Sequence, residues 1–438
     1  HALEPVQPAE GHLDVLMQHL VTLALQAPWL PDTTYAEITS VAAYAELTRE
    51  AFAAVLQALQ YGSTHLNQYP DYQRLVVRDD QYVQVATPGI ARRHRMSIGT
   101  IVAHASMRVR VQRGAVLGEV EESFATRLKP GDCFRFAGRV LQCVRLRDGE
   151  LWVKAARGNA SEVPRWTGGR LPMSQTLAHH VVERLARPRP SAPCIQNHQQ
   201  LDQMIQETQI VLNRFGVEVD SDHLLVETFE TRDGVHCICF PFAGWLVHQA
   251  LGPLLAYRLS RIQEATYTVT VNDYGIELLS DDPKAFQPLQ DTPNALFSPD
   301  HMVQDLAEAV NLAELMRREF RGVARIAGLL FEGYPHQRKS VRMLQSSAGI
   351  LFDVLNLYDP DHLLLQQARR DVFQTSFDLP RLTTLLERLH HTPVRWTSPG
   401  QPTPLSLPLV HDRLSTRLSS ESVVKRLAKC LRGFDDNP

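Results

Sequence analysis

Across 438 residues the sequence holds no GxxxxGK(S/T) phosphate loop and no DExH-like acidic box, which excludes nucleotide hydrolysis by these residues alone. GxSxG, HExxH, GxGxxG and paired CxxC motifs are also missing. Six cysteines, of which only Cys237 and Cys239 stand close together, do not make a disulfide framework. No window approaches the roughly 18 unbroken apolar residues of a membrane span. The opening HALEPVQPAEGH lacks the charged and apolar regions of a signal peptide. The chain therefore reads as cytoplasmic and without a membrane partner. Its 44% hydrophobic and 21% charged residues are those of a globular protein, and at roughly 100–200 residues per domain its length implies two to four domains.

What is present is an uneven distribution of charge. The net charge is -3, yet residues 91–170 carry 16 Lys or Arg against 7 Asp or Glu. A basic module of this kind suits a polyanion, with a solvated basic face as the ordinary alternative.

Periodicity organises the chain into three modules: 1–97, 98–185 and 186–438. LDVLMQHLVTLALQ is an amphipathic helix, a second helix is predicted near Tyr35 to Ala45, and Thr48 is the N-cap candidate of a third over Glu50–Gln60. RLVVRDDQYVQVA then reads as a hairpin about Asp79-Asp80. Three helices and a hairpin predict a winged helix, although the third helix has Arg49 as its only cation and is poorly suited to reading bases. From Ser97 onward, turn signals every 8–12 residues predict a small β-barrel. Alternation there places Arg135, Arg145 and Arg147 outward and assigns Trp152 to the barrel core.

The rest is predicted as a mixed helical module with short β-hairpins, in which 301–330, 338–358 and 361–390 are helical and a strand near 405–411 returns to an earlier sheet. Arg317, Arg318, Arg321 and Arg325 form a basic helical cluster, either solvated or facing phosphates. The whole is an α+β, multi-domain chain. His236 to Cys239 resembles a metal fragment, but it lies in an alternating strand with no second ligand pair, so buried small side chains are the better fit. His179-His180 and His390-His391 diverge by about 100 degrees on their helices. Asp220/Asp222 is the nearest thing to a catalytic carboxylate pair and reads as a strand-entry turn.

Seven stretches in series resemble one family: LDVLMQHL; RRHRMSIGTIVAHASMRVR; GAVLGEVEESFATRLKPGDCFRFAGR; VPRWTGGRLPMS; PFAGWLVHQALGPLLAYRLSR with TVNDYGIELLS; SSAGILFDVLNLYDPDHLLLQQA; and PLSLPLVHDRLSTRLSSE. Their wording and order, over about Leu13 to Lys429, are similar to the part of large helicase-related (Lhr-type) superfamily 2 helicases that follows the two RecA-like motor domains, in particular the ligase-associated bacterial DExH-box branch. The resemblance implies modules that close around single-stranded DNA while an ATP- and Mg-dependent motor pulls it 3′ to 5′. RNA:DNA hybrids are among the implied substrates, and ligase and nuclease repair proteins among the implied partners. It also implies that Trp166 stacks on a base of the tracking strand and that Ile101, with its neighbour Thr100, lies near the strand path.

For Trp166 the chemistry points to the same role without the resemblance. Trp166 sits among Pro164, Arg165, Gly168, Gly169 and Arg170, a turn-rich setting unsuited to a core residue. An exposed indole stacks on any base for about 1–3 kcal/mol without reading sequence. Arg92, Arg93 and Arg95, with His94 among them and Arg108 beyond, are placed for backbone phosphates. A capping role for Trp166 and a buried-strand role for Ile101 are the alternatives. With the motor residues absent, the chain is expected to be a piece of a longer protein, to hold no cofactor and to lack ATPase activity by itself. The expected function is strand gripping for the missing motor. The competing one is a protein-interaction scaffold that organises motor or repair partners without touching DNA.

Overall fold

The computed structural model describes residues 11–62, 66–100, 106–112, 114–125, 128, 130–136, 139–147, 150–156, 173–187, 197–334, 337–339, 341–416 and 426–428. The chain divides into two compact units, one formed by 5–168 with 313–372 and the other by 169–312 with 373–438.

The first unit starts with helices α1 (Leu13–Gln26), α2 (Pro31–Thr39) and α3 (Arg49–Tyr61), followed by strands β1 (Leu75–Val77) and β2 (Val83–Val85) and helix α4 (Pro88–Ser97). Thr48 caps α3, its hydroxyl accepting from the Ala51 amide at 3.1 Å, as the sequence predicts. The second helix differs from expectation. It begins at Pro31, whose fixed φ and missing N–H suit a first helical position, and only a 3-10 turn covers Ala42–Tyr44. Phe52, Val55, Leu56 and Leu59 turn α3 into the core, and its one cation, Arg49, pairs with Asp32 at 2.7 Å while lying over Tyr35.

A five-stranded sheet follows: β3 (Ser106–Val111), β4 (Val116–Glu121), a turn of helix α5 (Glu122–Ala125), β5 (Cys133–Phe136), β6 (Arg139–Arg147) and β7 (Glu150–Ala155). Its order is β4-β3-β7-β6-β5, with β3 and β7 parallel and the other pairs antiparallel. Among the described residues β4 and β5 are edges, so the sheet is half of the barrel that the turn spacing predicts. Met107, Val109, Val120, Phe134, Leu141, Leu151 and Val153 fill one face. Because successive strand residues alternate between faces, Trp152 must lie opposite Leu151 and Val153. It does: Trp152 is half-buried on the outer face, which corrects its assignment to the core. Arg135 and Arg145 are exposed, in line with the alternation.

The second unit runs through helices α6 (Gln175–Ala186) and α7 (His198–Arg214), the hairpin β8 (Leu224–Thr231) and β9 (Gly234–Phe240), helix α8 (Trp245–Ile262), the hairpin β10 (Thr268–Val271) and β11 (Ile276–Ser280), and short helices α9 (Gln287–Asp291), α10 (Pro293–Leu296) and α11 (Met302–Ala309). The chain then returns to the first unit. Helix α12 (Leu312–Ile326), the hairpin β12 (Gly333–Tyr334) and β13 (Gln337–Arg338), α13 (Val341–Tyr358) and α14 (Leu363–Asp371) follow. Phe320, Leu351, Phe352, Leu355 and Leu364 join the core of α1 and α3. The single helix predicted over 301–330 is therefore two, broken at the extended residue Val310.

The second unit closes with α15 (Leu379–His391), β14 (Val394–Thr397) and α16 (Leu407–Thr416). Asp378, at φ 43, separates α15 from α14 in a stretch whose pattern reads as continuous. Where the sequence predicts a strand near 405–411 there is the helix α16. The returning strand is β14, which pairs parallel with β8 at the edge of the sheet β10-β11-β9-β8-β14. Thr403 and Ser406 instead bond each other and the buried carboxylate of Glu227, and this turn launches α16. Cys237 and Cys239 are buried free thiols, and no group that could hold a metal ion occurs among the described residues. None of the described helices is long and apolar enough to cross a membrane.

Candidate nucleic-acid interface

Helix α4 carries three of the arginines singled out in the sequence. Thr87 caps it by accepting from the Ile90 amide at 3.2 Å, and Pro88 occupies its first turn. The helix is not uniformly basic toward solvent. Arg92 and Arg95 are exposed. Arg93 is committed, with Asp71 at 2.8 Å and its guanidinium over the Phe331 ring at 5.7 Å. His94 turns inward, where its Nε2 meets the Thr22 hydroxyl at 2.8 Å. Burial, followed by the nearby Arg74 and Arg95, lowers its pKa to about 4, so it stands neutral and adds nothing to the positive surface. The basic run of four thus reduces to two exposed guanidiniums, one turn apart, that make no ion pair among the described residues.

The segment leaving α4 is held by α1. The Gln18 side chain accepts from the Gly99 amide at 2.9 Å and donates to the Gly99 carbonyl at 3.0 Å. Its second N–H donates to the Ile326 carbonyl at 2.9 Å, so both N–H donors of the amide are used. Thr100, next in line, is exposed. Arg108, in β3, is 63% exposed and 3.9 Å from Glu119, too loose an approach to neutralise it. Ile101, Arg165, Trp166 and Arg170 lie outside the described residues.

Beyond these residues the described chain resumes at Met173, in the second unit. The Met173 amide donates to the Asp273 carboxylate at 3.0 Å, and the same oxygen accepts from the Trp245 amide, also at 3.0 Å. Asp273 thereby caps the N-terminus of α8 from the turn between β10 and β11. Asn272 shapes that turn by accepting from the Tyr274 and Gly275 amides. Gly244, at φ 88, completes the junction, for a Cβ there would stand 2.5 Å from the Met173 carbonyl oxygen. His248 locks the same loop. Its Nδ1–H donates to the Asn272 carbonyl at 2.6 Å and its Nε2 accepts from the Ala243 amide at 3.2 Å. LPMS, PFAGW and NDYG stand far apart in the sequence, and their convergence on Asp273 is not visible in any one of them.

Other candidates resolve into structure. The Asp220 carboxylate accepts from the Asp222 and His223 amides and pairs with Arg395, which makes it the entry turn of β8. Arg317 pairs with Asp353 and Arg325 with Glu332. His236 is buried against Glu277, which also takes Arg413.

Comparison with known proteins agrees with this layout. A model of the large helicase-related protein winged-helix domain matches residues 1–163, and a DEAD/H-associated model matches residues 219–406. The ATP-dependent helicase Lhr-Core of Methanocaldococcus jannaschii is 26% identical over 95% of this chain and 49% of its own length. The Lhr helicase/uracil glycosylase of Escherichia coli is 25% identical over 89% of this chain and 26% of its own length. A solved structure, that of Mycobacterium smegmatis helicase Lhr bound to ssDNA and AMP-PNP, shares the fold with a TM-score of 0.62 at 22% identity, covering 93% of this chain and 49% of that one. The chain thus spans about half the length, or less, of these relatives. It belongs to the large helicase-related (Lhr) family and corresponds to the C-terminal region of those helicases, which carries their winged-helix and DEAD/H-associated domains.

Proposed function

We propose that this chain is the part of an ATP-dependent, 3′-to-5′ Lhr-type DNA helicase that grips the single strand, acting in cytoplasmic DNA repair. The observation that carries this reading is the pair of exposed arginines, Arg92 and Arg95, on a helix whose exit is held by Gln18 at Gly99. Exposed guanidiniums on a rigid element attract phosphates without reading sequence, which is what translocation requires. In this reading Trp166, flanked by Arg165 and Arg170, stacks on a base, Ile101 and Thr100 border the strand, and Arg108 adds a phosphate contact. The five-stranded sheet is one wall of a small β-barrel.

The sequence holds no phosphate loop or acidic box, so its residues do not fit ATP or Mg. Both are assigned to RecA-like motor domains outside these residues, and the chain alone is expected to show no ATPase activity. RNA:DNA hybrids as substrates, and ligase and nuclease partners, belong to the same proposal. The test is fluorescence anisotropy with a labelled single-stranded oligonucleotide across a salt series. Binding is expected to fall steeply with salt and to weaken about 5- to 150-fold in Trp166→Ala, from the energy of one stacked base. Indifference to both would overturn the reading.

One observation favours the scaffold alternative. Met343, Ile350 and Leu357 recur at seven-residue spacing along α13, exposed by 56%, 61% and 70%. A stripe of this kind suits a partner helix, and the motor half of the protein is the natural partner. Pull-down of separately expressed motor domains without DNA, lost in Ile350→Glu/Leu357→Glu, would support it. Capture unaffected by that double substitution would remove it.

A further inference from the structure

Cross-strand register places Trp152 directly beside Arg110 on β3 and Arg145 on β6. Both guanidiniums lie over the indole, their carbons 5.7 and 5.1 Å from its centroid. All three belong to the face opposite the Leu151 and Val153 core, and Lys154 follows on that face, exposed. Arg110 is held by both oxygens of Glu150, at 2.8 and 2.9 Å. Arg145 is exposed and makes no ion pair among the described residues. A guanidinium lying over an aromatic ring keeps its N–H groups while losing much of its side-chain freedom.

We propose that this outer face is a second strand-binding surface, where Arg145 and Lys154, with Arg108 at its margin, take the phosphodiester backbone of a single-stranded nucleic acid. Trp152 acts as the rail that keeps Arg145 extended across the sheet. A merely solvated basic face has no need of a half-exposed tryptophan in mid-sheet between two arginines. The occupant is a polyanion because the free groups are cations, and the fixed fork of Arg145 matches two phosphate oxygens. The proposal rests on the strand-gripping reading and adds to it Arg145 and Lys154, which lie outside the seven similar stretches.

The test is the salt dependence of binding of a fluorescein-labelled oligothymidylate to the whole chain. Each phosphate that is no longer neutralised should lower the log–log slope by about 0.7 for a single strand. Arg145→Gln/Lys154→Gln is therefore expected to lower it by about 1.4, from two phosphates. Trp152→Ala should give part of that reduction and Trp152→Phe little of it. If Trp152→Ala disturbs the sheet, as far-ultraviolet dichroism would show, the double variant at exposed positions carries the test alone. An unchanged slope in the double variant, with a reduced one in Arg92→Gln/Arg95→Gln, overturns the second surface and leaves the gripping reading intact. Salt-independent binding by the wild type overturns both. A slope unchanged for the oligonucleotide, but lowered for a polyglutamate competitor, reassigns the face to an acidic protein and overturns the proposal.

Discussion

The side-chain amide of Gln18 makes both backbone hydrogen bonds of Gly99, accepting at 2.9 Å and donating at 3.0 Å. It substitutes for a strand partner and fixes the course of the chain between α4 and Ile101. Gln18→Ala removes three hydrogen bonds at a buried site and is expected to cost about 1–3 kcal/mol. Thermal unfolding measures that cost. Strand affinity should fall as well, although every arginine is retained. Full affinity in a destabilised Gln18→Ala would mean that the exit from α4 does not position the strand contacts.

Asp273 ties Met173 to the first turn of α8 through a single carboxylate oxygen. Asp273→Ala leaves both amides without their acceptor, and the loss of a cap of this kind costs about 1–2 kcal/mol. Hydrogen exchange should show faster exchange at the Met173 and Trp245 amides together. Unchanged protection at either would break the link between Met173 and α8.

Asp14, buried in the first turn of α1, has a pKa raised to about 6, mainly by burial and further by the neighbouring Asp371 carboxylate. Its folded pKa exceeds the unfolded value of 3.8, so its stabilising share is complete below about pH 4. That share is lost as the pH rises through about 6. Asp14→Asn should therefore exceed wild type in stability at pH 7.5, by up to about 3 kcal/mol, and match it near pH 4. Urea denaturation at the two pH values decides. An equal gap at both would show that Asp14 does not titrate with folding.

His248 behaves in the opposite sense. The carbonyl at its Nδ1 only accepts and the amide at its Nε2 only donates, so the neutral ring fits and the charged ring does not. Burial lowers its pKa to about 4. The stability it contributes is complete above about pH 6.5 and drains away as the pH falls toward 4. His248→Gln should be most destabilising, by up to about 3 kcal/mol, near pH 7.5. The deficit should shrink in acid, and a pH-independent deficit would contradict this.

Local signals in the sequence are faithful where one residue decides one turn. Thr48, the Asp79-Asp80 hairpin and the NDYG turn all stand where the pattern places them. The failures lie where distant chain decides. PLSLPLV alternates like a strand, but Glu227 needs Thr403 and Ser406, and that turn starts α16. ELWVKA shows that Trp152 opposes its neighbours, yet only the sheet reveals which face is core. RRHR is basic in sequence, and half of it is spent on Asp71 and Thr22 once the chain folds. The union of α12, α13 and α14 with the first three helices joins segments separated in sequence by residues 169–312 and has no local signature. The convergence on Asp273 crosses 100 residues and is equally silent.

In the gripping reading this chain holds a single strand through the exposed cations Arg92 and Arg95 on α4. The measurement that tests it most directly is the salt slope of single-strand binding by Arg92→Gln/Arg95→Gln beside Arg93→Gln. The double variant is expected to lower the slope by about 1.4, from two phosphates. Arg93, already engaged with Asp71 and Phe331, should leave the slope unchanged and lower thermal stability instead. A double variant that binds with the wild-type slope, or an Arg93→Gln whose slope falls as far as that of the double, would contradict the account.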